Sequence, residues 1–261
     1  MNGHSERIWA LALLKNNYLA SASWDQTIKI WNTDTGALLL TLTGHSNYVR
    51  SLAVLQNGFL ASGSDDKTIK IWNTSTGSLN RTLTGHSNWV WSLAVLQNGY
   101  LASGSFDTTI KIWNTNNGVL ISTLTGHSSF VVSLIVLKTG LLASGSLSEI
   151  KLWNTDTSSA LKTLTAQTSY FRALAVFKDY YLVGGNEDKS IVLWNLNTST
   201  IVRTLTGHSK SVWALATLQN GNFASGSEDS TIKIWNASIN LSALSPNKIV
   251  STYNSNNLNS T

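Results

Sequence analysis

The chain has no cysteine among its 261 residues. That excludes disulfides and thiol chemistry and removes the usual staple of secreted domains, without fixing a compartment. Charge is scarce too: Asp, Glu, Lys and Arg make up 12% of the chain against 42% hydrophobic residues. This balance argues against a disordered protein except at the C-terminal end, and it provides ample material for a core. The net charge of +5 is a modest and dispersed excess, since five of the 13 lysines (Lys29, Lys70, Lys111, Lys151 and Lys233) sit two residues before a recurring Trp. A positive field diluted in this way makes nucleic acid a poor candidate partner. No apolar run approaches the roughly 18 residues of a membrane span. Met1 leads into Gly3-His4 without a basic and then apolar leader, so neither a signal peptide nor a membrane partner is expected. A cytoplasmic location follows, with the nucleus as the alternative. Sequons at Asn73, Asn80, Asn197, Asn236, Asn240 and Asn259 are ascribed to the abundance of Asn, Ser and Thr.

What the chain has is repetition. Trp31, Trp72, Trp113, Trp153, Trp194 and Trp235 are each followed by Asn, at spacings of 41, 41, 40, 41 and 41 residues, so six copies of one unit fill residues 3–236. A fixed period of this length decides the architecture before any local reading does. Within residues 44–84, Val49 to Leu55 is nearly all apolar, and Asn57-Gly58 supplies the residues of a two-residue hairpin turn. Phe59 to Ser62 resumes extended character. Asp65-Asp66-Lys67 then turns the chain into Thr68–Trp72, and Asn73–Gly77 turns it again before Asn80–Leu83. Four short antiparallel strands per unit follow. Both faces of each small sheet are apolar, so neighbouring units must cover one another, and packing twisted sheets around an axis does so. The expected fold is all-β, a β-propeller of six four-stranded antiparallel blades. It occupies residues 1–253 in repeats of about 3–43, 44–84, 85–125, 126–165, 166–206 and 207–253, with a disordered Ser/Asn-rich tail at 254–261.

Gly44-His45, Ser62-Gly63-Ser64, Asp66 and Trp72-Asn73, with equivalents through almost the whole chain, resemble the pattern of WD-repeat proteins. The resemblance implies a buried hydrogen-bonded tetrad in each blade: His4, Ser21, Asp25 and Trp31; His45, Ser62, Asp66 and Trp72; His86, Ser103, Asp107 and Trp113; and His208, Ser225, Asp229 and Trp235. Asn replaces the Asp of the family's Trp-Asp pair throughout. The fourth repeat keeps His127, Ser144 and Trp153, but Ser146-Leu147-Ser148-Glu149 is one residue short and lacks the turn Asp. The fifth has Gln167 for His and Gly184 for Ser, keeping Asp188 and Trp194. Residues 140–190 are therefore expected to be the looser part of the ring, exchanging amide hydrogens faster than the second and third blades. Many members of this family have seven blades, so a closed six-bladed ring and an incomplete seven-bladed ring both fit. Ile249–Tyr253 resembles Ile201–Leu205 and is expected to be the outer strand of the last blade.

No catalytic residue, metal ligand or cofactor is expected. All five histidines lie in Gly-His pairs 26 or 27 residues before their Trp, one to a blade, whereas metal ligands must converge. The turn Asp residues recur as structure does and an active site does not. Neither a Gly-x-Ser-x-Gly motif, a phosphate-cradling loop nor a zinc spacing occurs.

Variation between copies is the more informative signal. In the resembled family, partner contacts concentrate on the face bearing the turns before the first and third strands. There the repeats place Arg7, Trp9 and Trp24; Tyr48, Arg50 and Asp65; Trp89, Trp91 and Phe106; Phe130, Val132 and Leu147; Tyr170, Arg172 and Glu187; and Ser211, Trp213 and Glu228. All five Trp residues outside the repeated set fall here, as do three of the five arginines. Such side chains dominate binding hot spots. The expectation is a non-catalytic scaffold that docks a protein or peptide with apolar side chains, and with basic residues near Asp65, Glu187 and Glu228. The alternatives are a carbohydrate-binding propeller, which would use Trp faces against sugar rings, and a recruiting domain of a larger assembly such as a ubiquitin ligase or signalling complex. A structural role for these aromatics, plugging the channel mouth, is the competing reading. Oligomeric state is left open.

Overall fold

A computed structural model describes residues 3–178, 180–236 and 249–254. Blade 2 shows how sequence becomes sheet. Its strands are Val49–Val54, Leu60–Ser64, Ile69–Trp72 and Leu79–Leu83, paired antiparallel in chain order. Leu52 lies opposite Ser62, Ser62 opposite Lys70, and Trp72 opposite Leu79. The first turn differs from the sequence expectation. Leu55 N–H donates to Phe59 O at 2.8 Å and Gly58 has φ of 86°, which makes a three-residue loop ending on a left-handed glycine. The Asn after each Trp has a clear local task. Asn73 Oδ1 accepts the backbone N–H of Ser75 (2.9 Å) and Thr76 (3.3 Å), and Asn32, Asn154 and Asn195 cap the same turn in their blades. A short oxygen-bearing side chain suffices there, so Asn serves where Asp would.

Blades 1, 2, 3 and 6 are separate four-stranded sheets, whereas blades 4 and 5 form one seven-stranded sheet through the 19-residue strand Ser159–Phe177. The cause is local. Elsewhere the chain breaks between blades at a glycine with φ between 131° and 155° (Gly44, Gly85, Gly126 and Gly207), and Ala166 stands at that point here. Alanine avoids that conformation, so the strand runs on. The last blade takes Ile249–Asn254 as its fourth strand, with Ile249 opposite Trp235 as Ile201 lies opposite Trp194. Asn254 thus belongs to a strand, opposite Thr231, and not to a tail. The disorder expected beyond it concerns residues outside the described ones.

The core lies between blades. Ile69 and Ile71 of blade 2 pack on Val90, Leu101 and Trp113 of blade 3, and four further clusters repeat that seam around the ring. A small residue on each second strand receives the next blade's first strand. The Cβ that Gly104 lacks would lie 2.6 Å from Ser92 Oγ and 2.7 Å from Val131 Cγ1, and Gly63 and Gly185 sit equally close to Val90 and Val212. At the equivalent Gly226 the nearest atom is Ala214 Cβ at 3.6 Å. No comparable packing joins blade 6 to blade 1 among the described residues, and Ile8, Leu11 and Leu13 on the first strand are 52–66% exposed. Among the described residues, no packing of the sheets closes the ring at that point. Gly104→Ala is therefore expected to cost about 1–3 kcal/mol through overpacking, whereas Gly226→Ala stays within about 0.5 kcal/mol of wild type. Urea unfolding of the two variants checks this, and equal losses would contradict it.

Candidate functional site

Beneath the face, each tetrad is a closed set of donors and acceptors. In blade 2, Ser62 Oγ accepts Trp72 Nε1–H at 2.8 Å and shares a 2.7 Å hydrogen bond with His45 Nε2. His45 Nδ1 lies 2.7 Å from Asp66 Oδ2, and the carboxylate makes that nitrogen the donor. Asp66 Oδ1 accepts Thr68 N–H and Oγ1–H, and Oδ2 accepts Ser46 N–H. One set of contacts ties the second strand, the third strand, the turn between them and the loop before the first. Blades 1, 3 and 6 repeat it with His4, Ser21, Asp25 and Trp31, with His86, Ser103, Asp107 and Trp113, and with His208, Ser225, Asp229 and Trp235.

Blade 4 corrects the expected vacancy. Glu149, displaced by the shortened turn, reaches back with its extra methylene so that Oε1 lies 2.7 Å from His127 Nδ1, while Oε2 pairs with Lys151 at 3.2 Å. Ser144 holds His127 Nε2 and Trp153 Nε1 as in the other blades. In blade 5 apolar packing replaces the polar set. Phe171 stands where other blades have Val or Ile, its ring centroid lies 5.2 Å from that of Trp194, and it occupies the space a side chain at Gly184 would need, 2.7 Å from the missing Cβ. The reason for expecting residues 140–190 to be loose therefore disappears in blade 4. In blade 5 it becomes an exchange of hydrogen bonds for burial. The deletion beside Glu149 and the paired appearance of Phe171 and Gly184 were the sequence signals of these substitutions.

On the face itself, backbone hydrogen bonds join the first and third members of five triads: Trp24 N–H to Arg7 O, Asp65 to Tyr48, Phe106 to Trp89, Glu187 to Tyr170 and Glu228 to Ser211, all at 3.0–3.1 Å. Blade 4 departs, because Leu147 pairs with Tyr170 of the next blade. Within this ring the side chains divide in two. At the centre, Arg50 is 7% exposed and donates Nε–H and Nη2–H to Asp65 at 2.9 and 2.6 Å, with its guanidinium 4.8 Å from the Trp9 ring and 4.6 Å from Trp91. Arg172 makes a single-bonded counterpart, donating Nη2–H to Glu187 at 2.9 Å with its guanidinium 4.8 Å from the Trp213 ring. Trp9 meets Trp91 and Trp213 edge-on and stacks on Trp24, which stacks on Tyr48. The two arginines and Trp9, Trp24, Trp91 and Trp213 plug the channel mouth, with Tyr48 at their edge. Arg50 and Asp65 satisfy each other in a buried forked pair, and Val132 is buried too, so none of the three is open to a partner.

The rim is different. Tyr48, Trp89, Phe130 and Leu147 are 36–42% exposed and run along blades 2 to 4. Phe106 stacks on Phe130 at 4.3 Å, and Phe130 faces Tyr170 at 6.2 Å. Arg7 and Glu228 are exposed on the opposite arc, and the Glu187 side chain is 40% exposed.

Among the described residues, no three His, Asp or Glu side chains converge as a metal site would require. The titratable groups show why the tetrads are structural. Burial alone would raise the carboxyls of Asp66 and Asp107, yet the hydrogen bonds and charge of His45 and His86, with those of Thr68 and Thr109, hold both well below the usual carboxylate range. Burial pushes the His127 imidazole down against the pull of Glu149. Lowered folded-state values mean stability that is complete above the unfolded pKa and lost as pH falls. Stability is expected to decline first below about pH 6.5 through His127 and more steeply below about pH 4 through the carboxylates. Asp66→Asn should be less stable at pH 7 and lose less on acidification. Urea unfolding across this range measures both, and parallel curves for wild type and variant would refute the assignment.

Residues 1–32, 36–73, 77–114, 118–154 and 199–236 match the family model described as WD domain, G-beta repeat. The matched segments span more than half of the chain, and they leave out most of blade 5, where Gln167 and Gly184 interrupt the pattern.

Proposed function

We propose, from the premise that this chain belongs to the WD-repeat family, that it is a non-catalytic scaffold whose aromatic face docks a peptide or protein segment. Family membership supports an interaction scaffold in general. The observation that carries the finer reading is the half-exposed aromatic crescent Tyr48, Trp89 and Phe130 beside Leu147, supported from beneath by the Trp and Arg plug. Rigid aromatic area held by its neighbours loses little entropy on contact, and such residues concentrate binding energy. Trp9, Trp91 and Trp213 act through this support, so their removal would disturb the face as a whole.

Charge refines the partner. Asp65 is consumed by Arg50, which removes one of the three expected acidic contacts. Glu228 and the partly exposed Glu187 remain. A segment that lays apolar side chains along blades 2 to 4 and extends a Lys or Arg toward blades 5 and 6 fits this distribution.

The test is selection of a displayed random peptide library on the immobilised chain, with a glycan array in parallel. Selected peptides should combine apolar and basic residues. A Tyr48→Ala, Trp89→Ala and Phe130→Ala variant of unchanged melting temperature should bind them at least about 30-fold more weakly, a hot-spot loss of about 2 kcal/mol. Unchanged peptide binding, or a signal from glycans alone, would overturn the proposal.

A further inference from the structure

The opening between blades 6 and 1 is lined by the two halves of one interface. At each of the other seams a β-branched or aromatic residue that begins the first strand enters the preceding blade. Val49, Val90, Val131, Phe171 and Val212 are all fully buried in this way. Ile8 holds the same position in blade 1, opposite Ser23 as Val49 lies opposite Ser64, and it is 52% exposed. It is a knob without a socket.

Gly226 is a socket without a knob. Its counterparts Gly63, Gly104 and Gly185 each have a Val Cγ1 of the next blade 2.7 Å from the missing Cβ, whereas among the described residues nothing beyond its own blade lies within 4 Å of the Cβ that Gly226 lacks. The surrounding surface is unmatched in the same sense. Ile232 is 51% exposed where Ile69, Ile110, Ile150 and Ile191 are buried, and Leu11 and Leu13 are 61% and 66% exposed on the facing side. Trp9 and Trp213 touch at 5.4 Å across the channel mouth, yet among the described residues the sheets behind them share no buried cluster.

We infer that these two faces bind each other between molecules, the Ile8 face of one copy of this chain seating on the Gly226 face of a second. The complementarity is the chain's own. Both surfaces are apolar, and each has the shape that closes five seams within one chain. A second copy supplies the missing half without any new chemistry. Because the two patches differ, the contact is head-to-tail. It leaves the aromatic face free and is independent of docking there.

The absence of cysteine permits a direct test on the whole chain. At the filled seams the Cβ missing from Gly104 or Gly185 would lie 3.3 or 3.2 Å from Cβ of Val131 or Val212, close to disulfide geometry. Ile8→Cys and Gly226→Cys are prepared as separate single variants, mixed and oxidised. The mixture should yield a covalent dimer well above the level given by either variant alone. In sedimentation velocity over about 1–100 µM, wild type should associate. Gly226→Val, whose Cβ would meet Ala214 Cβ at an ordinary contact distance of 3.6 Å, should reduce the associated fraction at least about tenfold at unchanged melting temperature. No excess cross-link in the mixture, or a strictly monomeric wild type, would overturn the inference. So would a double variant that forms only the internal disulfide, since the ring would then close on itself.

Discussion

A serine hydroxyl inside a blade cannot be left to itself. Ser62 accepts the indole N–H of Trp72 and meets the imidazole of His45, and these three groups lie where no water can replace a lost partner. Two strands and a loop are thereby held in one register, and the turn carrying Asp66 is drawn down beside them. The face residues sit on the same turns and strand ends. Asp65 is positioned beside Tyr48 because Asp66 is positioned beside His45. Where the polar set changes, the structure responds as a unit: Glu149 replaces Asp in blade 4, and Phe171 fills the space left by Gly184 in blade 5.

The eleven tryptophans serve two tasks with different energetics. The six that recur are buried between sheets, where each contributes apolar area and one satisfied N–H in most blades. Of the other five, Trp9, Trp24, Trp91 and Trp213 gather at the channel mouth and Trp89 lies on the rim, and all five are only partly covered. There Arg50 and Arg172 are held by carboxylates and by aromatic faces together, an arrangement that keeps two cations in a largely apolar plug. The plug supports the rim, and the rim offers area to a partner. The structural reading thus holds for the central members of the set, and the docking proposal rests on the rim alone.

A ring of near-identical units also makes its own defects visible. Five seams are filled by the same knob and socket, so Ile8 and Gly226 stand out by comparison with their counterparts. In a protein without internal repetition, an exposed isoleucine and a glycine with open space beside it would mean nothing. Here each has a precedent inside the same molecule.

The six Trp-Asn pairs at their nearly constant spacing made the blades and their strand order legible, because periodicity is written in nearby residues, and the resemblance to WD-repeat proteins implied the four intact tetrads. So was the outer strand at Ile249, through its likeness to Ile201. The Glu149 rescue was not, since it depends on how far a side chain reaches across a shortened turn. Nor was the fusion of blades 4 and 5, which follows from one alanine at a position that elsewhere demands glycine. The variable positions on the face that the resemblance singles out were legible, but only the packed structure divided them into a plug and a rim, because burial depends on neighbours from other blades. The unfilled seam between blades 6 and 1 among the described residues likewise appears only in three dimensions. Each repeat specifies its own seam with the next, and nothing in any single repeat specifies the angle summed over all of them.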